Sequence, residues 1–104
     1  YPALSNTPGH DIWKRDFSGA SGLFSIVLKP ASEKAVAAML DGLELFAMGY
    51  SWGGFESLVV PFKPHRTATT WKAEGPALRL HIGLEHPEDL MRDLEDGFMR
   101  MRNN

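Results

Sequence analysis

The sequence predicts a two-layer α+β domain within the broad α/β class: a mainly antiparallel four-stranded sheet with helices on one face, in the order β-α-β-β-β-α. Three observations carry this expectation. ALRLHIGL (Ala77–Leu84) alternates cleanly, with Leu78, Leu80, Ile82 and Leu84 pointing one way and Arg79 and His81 the other, the period-2 signature of a strand with one buried face. Two segments, one starting near Ser32 and one at Pro87, space their apolar residues as a helix does. Short runs rich in aromatic and β-branched residues lie between them, bounded by proline or glycine.

In chain order, residues 1–22 hold Pro2, Pro8, Gly9, Gly19 and Gly22 among polar residues and read as an irregular lead-in arm, leaving residues 23–104 as the single domain. LFSIVLK (Leu23–Lys29) is the first strand, stopped by Pro30. Ser32 is placed to cap a helix whose stripe is Ala35, Val36, Met39, Leu40 and Leu43 and which Gly42 weakens at its end. LELFAMGY (Leu43–Tyr50) is expected to be a short buried strand running into a glycine-rich turn, and SLVVPF (Ser57–Phe62) the strand after it. Residues 63–76 read as loop, with Lys63, His65 and Arg66 a solvated connection. After the alternating strand, Pro87 suits a first helical position, with Glu88 and Asp89 near the positive end of the helix dipole and Arg100 and Arg102 near the negative end. Leu90, Met91, Leu94, Phe98 and Met101 form its apolar stripe.

Composition narrows the function classes. With 43% hydrophobic and 23% charged residues the chain has the balance of a globular protein, so neither disorder nor a membrane class is indicated. A formal net charge of −2 argues against a nucleic-acid partner. No apolar run approaches the roughly 20 residues that span a bilayer. The absence of cysteine excludes a disulfide framework, a thiolate metal site and a cysteine nucleophile, and fits a cytoplasmic setting. Residue 1 is tyrosine, which leads us to expect a piece of something longer.

Gly49-Tyr50-Ser51-Trp52-Gly53 satisfies G-x-S-x-G, the pattern that presents a serine nucleophile at a strand-to-helix elbow. The segment following it is β-favouring, so the helix that would complete an oxyanion hole is missing and a hydrolase reading is disfavoured. Two readings of the turn stay open. One is a glycine-rich hairpin with Trp52 packed locally. The other is a carboxylate site, in which backbone N–H groups and the Ser51 hydroxyl lie beside Arg79 on a neighbouring strand, whose planar fork suits a carboxylate. His10, His65, His81 and His86 lack metal-ligand spacing, and Glu85, Glu88, Asp89, Asp93, Glu95 and Asp96 read as a solvated helix face.

GYSWGGFESL (Gly49–Leu58), LRLHIGLEHPEDL (Leu78–Leu90) and GHDIWKRDFSGASGLFSIVL (Gly9–Leu28) together resemble the pyridoxal phosphate-dependent Cys/Met metabolism family, in its cystathionine β-lyase branch. The match covers nearly the whole chain and corresponds to about the last quarter of such an enzyme, its C-terminal small domain on a type I fold. The resemblance implies that Arg79 grips the substrate α-carboxylate and that Ser51 and Trp52, with Tyr50 adjacent, line the same pocket. Trp52 and His81 favour the β-lyase branch, whose reaction cleaves cystathionine to homocysteine, pyruvate and ammonia. Phe55 stands where tyrosine is common, and His86 where aspartate usually precedes the last helix. The resemblance further implies an amino-acid thioether substrate, a homotetrameric parent, and a large N-terminal domain that supplies the Schiff-base lysine and holds pyridoxal phosphate. No catalytic or cofactor-binding residue is expected in these 104 residues, so the chain alone is expected to be inactive. The rival expectation is a stand-alone binding module of the same fold.

Overall fold

The computed structural model describes residues 1–104. The elements in chain order are α1 (His10–Asp16), β1 (Leu23–Val27), α2 (Glu33–Asp41), β2 (Ala47–Met48), β3 (Leu58–Phe62), β4 (Ala77–His81) and α3 (Pro87–Arg102). The sheet order is β1-β4-β3-β2, with β4 antiparallel to both β1 and β3. The expected four-stranded, mainly antiparallel sheet with helices on one face is therefore what forms.

The alternation in Ala77–His81 sets the two faces. Leu78 and Leu80 are fully buried against Ile26 and Phe24 of β1 and Val59 of β3, and α2 and α3 close this layer with Met39, Leu40, Leu90 and their neighbours. The opposite face carries Arg79, flanked by Ser25 on β1 and Val60 on β3, and then His81. Ser32 caps α2 by accepting from the Ala35 N–H at 3.1 Å. His86 does the same for α3, its Nδ1 accepting from the Glu88 N–H at 3.3 Å, with Pro87 in the first turn. Histidine thus performs the capping for which aspartate is the common choice.

Four expectations need correction. The lead-in arm contains the seven-residue helix α1: its prolines and glycines lie before His10 and after Phe17, so they bound a helical HDIWKRD without interrupting it. Gly9, in the left-handed region at φ 85°, makes the entry, which glycine adopts without steric cost. The segment Leu43–Tyr50 is strand only at Ala47–Met48, and both residues are exposed at the sheet edge; Phe46, just before, supplies the burial. Because β2 runs parallel to β3, the turn between them is no hairpin: the chain doubles back through residues 49–57 before Leu58 pairs beside Ala47. Finally β4 ends at His81, and Leu84, placed on the core face by alternation, is 85% exposed because the strand has already stopped.

Asp93 was expected on a solvated helix face but is 7% exposed, and its carboxylate accepts three consecutive backbone N–H groups, from Glu44 (2.9 Å), Leu45 (2.8 Å) and Phe46 (3.1 Å). Two turns along α3, Arg100 donates to the Ala38 and Met39 carbonyls at 3.1 and 3.0 Å, satisfying acceptors that the end of α2 leaves open. One face of α3 thereby fixes both the end of α2 and the root of β2.

Candidate functional site

The site lies on the sheet face away from α2 and α3. Residues 49–57 leave the edge strand β2 and fold over this face, and two side chains of the central strand β4 hold them there. Arg79 Nη2 donates to the Tyr50 carbonyl. Further along β4, His81 Nδ1 accepts from the Gly53 N–H at 3.3 Å while its Nε2 lies 2.9 Å from the Gly54 carbonyl oxygen. Gly53 makes the reversal at φ 86°, a left-handed conformation in which a side chain is strained even though the space around it is open.

The far end of the segment is anchored separately. Ser57 is fully buried; its N–H and hydroxyl both donate to the Glu85 carboxylate, at 3.1 and 2.8 Å, and its hydroxyl oxygen accepts from the Gly83 N–H at 2.8 Å. These bonds, the Ser57 backbone N–H foremost and its hydroxyl next, hold the Glu85 carboxyl below the usual carboxylate range, because they stabilise the charged form. Glu85 therefore belongs to the frame of the site and not to a solvated helix face. Gly83 packs so closely on Phe55 and Glu56 that a Cβ there would lie 2.7 Å from the Glu56 carbonyl carbon.

Of the residues singled out in the sequence, Arg79 and Tyr50 are brought into contact, through the Tyr50 main chain. The Tyr50 and Trp52 side chains project outward, 76% and 61% exposed, with Phe55 exposed nearby in sequence. Ser51 is exposed and lines a shallow recess of about 250 Å³ with Gly54, Phe55, Glu56 and Leu58. No helix follows Ser51; the next element is β3, as the disfavouring of a nucleophile elbow required. Arg79 makes no ion pair within the chain, where the paired cations are Arg15 with Asp16 and Arg92 with Asp89. Its Nε and Nη1 have no hydrogen-bond partner in the chain. What the arrangement offers chemically is a half-buried arginine whose guanidinium has free donors, beside a turn of exposed aromatic and hydroxyl groups, suited to binding a planar anion.

His81 is the residue whose part the sequence reading left out. Its alternation with Arg79 placed it on the same face, but nothing in the residue pattern said that the 53–54 backbone would fold onto its ring. A cofactor cradle is a different matter. Pyridoxal phosphate needs a lysine amine held beside an enclosed ring site, whereas Lys14, Lys29, Lys34, Lys63 and Lys72 are all exposed. The lysines of this chain do not fit that group.

The sheet order and the layer of two helices match the C-terminal portion of type I-fold pyridoxal phosphate enzymes. Comparison with known proteins makes the assignment specific. Residues 1–99 match the model of the family described as Cys/Met metabolism PLP-dependent enzyme. The chain is 48% identical over 107 aligned positions to the cystathionine β-lyase of Salmonella typhimurium, with 97% of this chain and 27% of that protein covered. It is 49% identical to the cystathionine β-lyase MetC of Escherichia coli, with the same coverage. Among solved structures, the cystathionine γ-synthase of Xanthomonas oryzae pv. oryzae in complex with cystathionine superposes with a TM-score of 0.78 at 36% identity, over 99% of this chain and 28% of that one. The chain belongs to the pyridoxal phosphate-dependent Cys/Met metabolism family, and it is homologous to the C-terminal region of cystathionine β-lyases. It spans about a quarter of the length of the curated relatives it matches.

Proposed function

We propose that this chain is the carboxylate-binding small domain of a carbon–sulfur lyase that cleaves cystathionine, with one water, to homocysteine, pyruvate and ammonia by α,β-elimination. The observation that carries the proposal is Arg79: a half-buried arginine on a central strand with no carboxylate partner in its own chain, beside the Tyr50–Trp52 turn. Its free donors are available to an anion from outside the chain. An amino-acid carboxylate matches its planar donor set. Tyr50, Ser51 and Trp52 form the wall of that pocket on the turn side, and their exposure leaves them free to be covered by a large cofactor-bearing domain. The enzyme so formed is a cytoplasmic homotetramer in this reading.

In this reading Arg79 orients the substrate and takes no part in bond making. Holding the carboxylate fixes the amino acid in one plane while the cofactor, bound in the large domain, supplies the electron sink for the elimination. Two charge-assisted hydrogen bonds at about 1.5–3 kcal/mol each make the contribution roughly 3–6 kcal/mol, or about 10²–10⁴ in kcat/KM. The test is Arg79→Leu in the longer enzyme carrying this domain, assayed for pyruvate release from cystathionine. A loss of that size is expected, with Arg79→Lys intermediate because an ammonium cannot make the bidentate pair. An unchanged kcat/KM removes Arg79 from the site.

A further inference from the structure

We infer that His81 is a positioning residue for the pocket wall: as a neutral imidazole protonated on Nε2, it pins the Gly53-Gly54 backbone to the sheet and so sets where Ser51 and Trp52 stand. The inference rests on the function proposed above for its consequence in catalysis, but its structural half stands independently.

The hydrogen bonds determine the protonation state. The Gly53 N–H can only donate, so Nδ1 must carry a lone pair; the Gly54 carbonyl can only accept, so Nε2 must carry the proton. One form of the ring meets both demands, the neutral Nε2–H tautomer. An imidazolium would set an Nδ1–H against the Gly53 N–H, and the other tautomer would fail at both ends. His81 is 7% exposed, so water is poorly placed to replace either bond. The charged groups facing it are Glu85 and, two residues back on the same face of β4, Arg79.

The consequence follows from how the turn is held. Ser51 and Trp52 make no hydrogen bond of their own to the sheet, and their side chains are exposed. They are suspended between two pins, Arg79 on the Tyr50 carbonyl and His81 on Gly53 and Gly54. Without the second pin, only one end of this stretch is tied to β4 until Phe55 accepts from the Leu84 N–H at 2.8 Å. The two pins sit on the same face of one rigid strand, two residues apart, so the geometry of the wall relative to the Arg79 fork is carried by β4 itself.

Two experiments test this. In the 104-residue chain, long-range ¹H–¹⁵N correlation of the imidazole should report His81 as Nε2–H with an unprotonated Nδ1, and His81→Phe should move the Gly53 and Gly54 amide resonances while leaving those of Ser25 and Val60, paired to β4, in place. In the longer enzyme, His81→Phe should raise the KM for cystathionine by about tenfold to a hundredfold, about tenfold for each bond lost, with kcat changed less than about threefold. His81→Asn, which keeps an acceptor for Gly53, and His81→Gln, which keeps a donor for Gly54, should each recover part of the loss. A protonated Nδ1 in the wild-type chain, or unmoved Gly53 and Gly54 amides together with an unchanged KM, overturns the inference. If His81→Phe fails to fold, the wild-type tautomer and the two amide variants decide. A wild-type enzyme without lyase activity defeats the proposed function instead, and the two resonance measurements then judge His81 alone.

Discussion

Asp93→Ala tests the polar anchor that holds the root of β2. The Asp93 carboxylate reaches 49, 48 and 47 residues back along the chain to the N–H groups of Glu44, Leu45 and Phe46. These three donors belong to no helix or strand, and the Phe46 bond is buried. Truncation removes all three bonds at once. Hydrogen bonds to a charged group contribute about 1.5–3 kcal/mol each, and a buried donor left unpaired costs about 1–3 kcal/mol. The Glu44 and Leu45 donors are only part-buried and can regain water, so most of their share is recovered. The total is then about 3–5 kcal/mol, a large part of the 5–15 kcal/mol that stabilises an ordinary domain. Urea unfolding reads it directly: with a slope of about 1.5 kcal/mol per M, the midpoint should fall by about 2–3 M. Asp93→Asn should lose about half as much, because one amide oxygen in the place of Oδ2 can still accept from Leu45 and Phe46 while the NH₂ group opposes Glu44. If Asp93→Ala destabilises by less than about 1 kcal/mol, these bonds are not what holds the root of β2, and the account of how the turn is launched fails.

Three further outcomes are expected. Glu85 has its pKa lowered by folding, so its contribution is fully present above the unfolded value of about 4.3 and is lost as pH falls through the lower folded one; the stability gap between wild type and Glu85→Gln, measured by urea titration, should be widest above about pH 5 and narrow as pH falls below the unfolded value. Gly83→Ala drives a methyl group into the Phe55 and Glu56 backbone, which cannot turn aside as a side chain would, and should cost about 1–3 kcal/mol or more in the same assay, with displacement of the 49–57 segment visible in its amide resonances. Arg100→Met keeps the apolar stem but removes the donors to Ala38 and Met39; a loss of about 1–2 kcal/mol is expected, insensitive to salt because the acceptors are uncharged, with faster amide exchange in the last turn of α2.

The parts of the molecule legible in the sequence are those whose signal is periodic and local. The alternation through Leu78, Arg79 and Leu80 named a strand, its buried face and the cation on its other face, and the stripe from Leu90 to Met101 named α3. The cap at Ser32 and the helix start at Pro87 likewise needed only neighbouring residues. What the pattern missed depends on contacts between distant parts of the chain. Asp93 looks like any acidic helix residue until Glu44–Phe46 are packed beneath it. The parallel pairing of β2 was hidden because a glycine-rich stretch between two β-favouring runs has the composition of a hairpin, and two residues of strand carry too little alternation to contradict it. For α1, the composition of residues 1–22 is rich in helix breakers, yet all of them lie outside His10–Asp16.

The same division explains how the candidate site is made. GYSWGG contributes no side chain to its own placement: Tyr50 and Trp52 are exposed and Ser51 hydrogen-bonds nothing. A segment with so little packing has scarcely any intrinsic preference for one conformation, and the ordering cost of each residue is about 1–2 kcal/mol of backbone entropy. That cost is offset from outside the segment, by Asp93 at the root, Arg79 and His81 beneath the turn and Glu85 with Ser57 at the exit. Every one of these partners is polar and bonds at least one main-chain group of residues 44–57, so the path of the turn is specified while the outward side chains stay free for a ligand. Under the function proposed above, changing Trp52 or Ser51 should therefore alter which substrates are accepted with little effect on folding, whereas changing His81 or Asp93 should disturb the turn without touching any residue of GYSWGG.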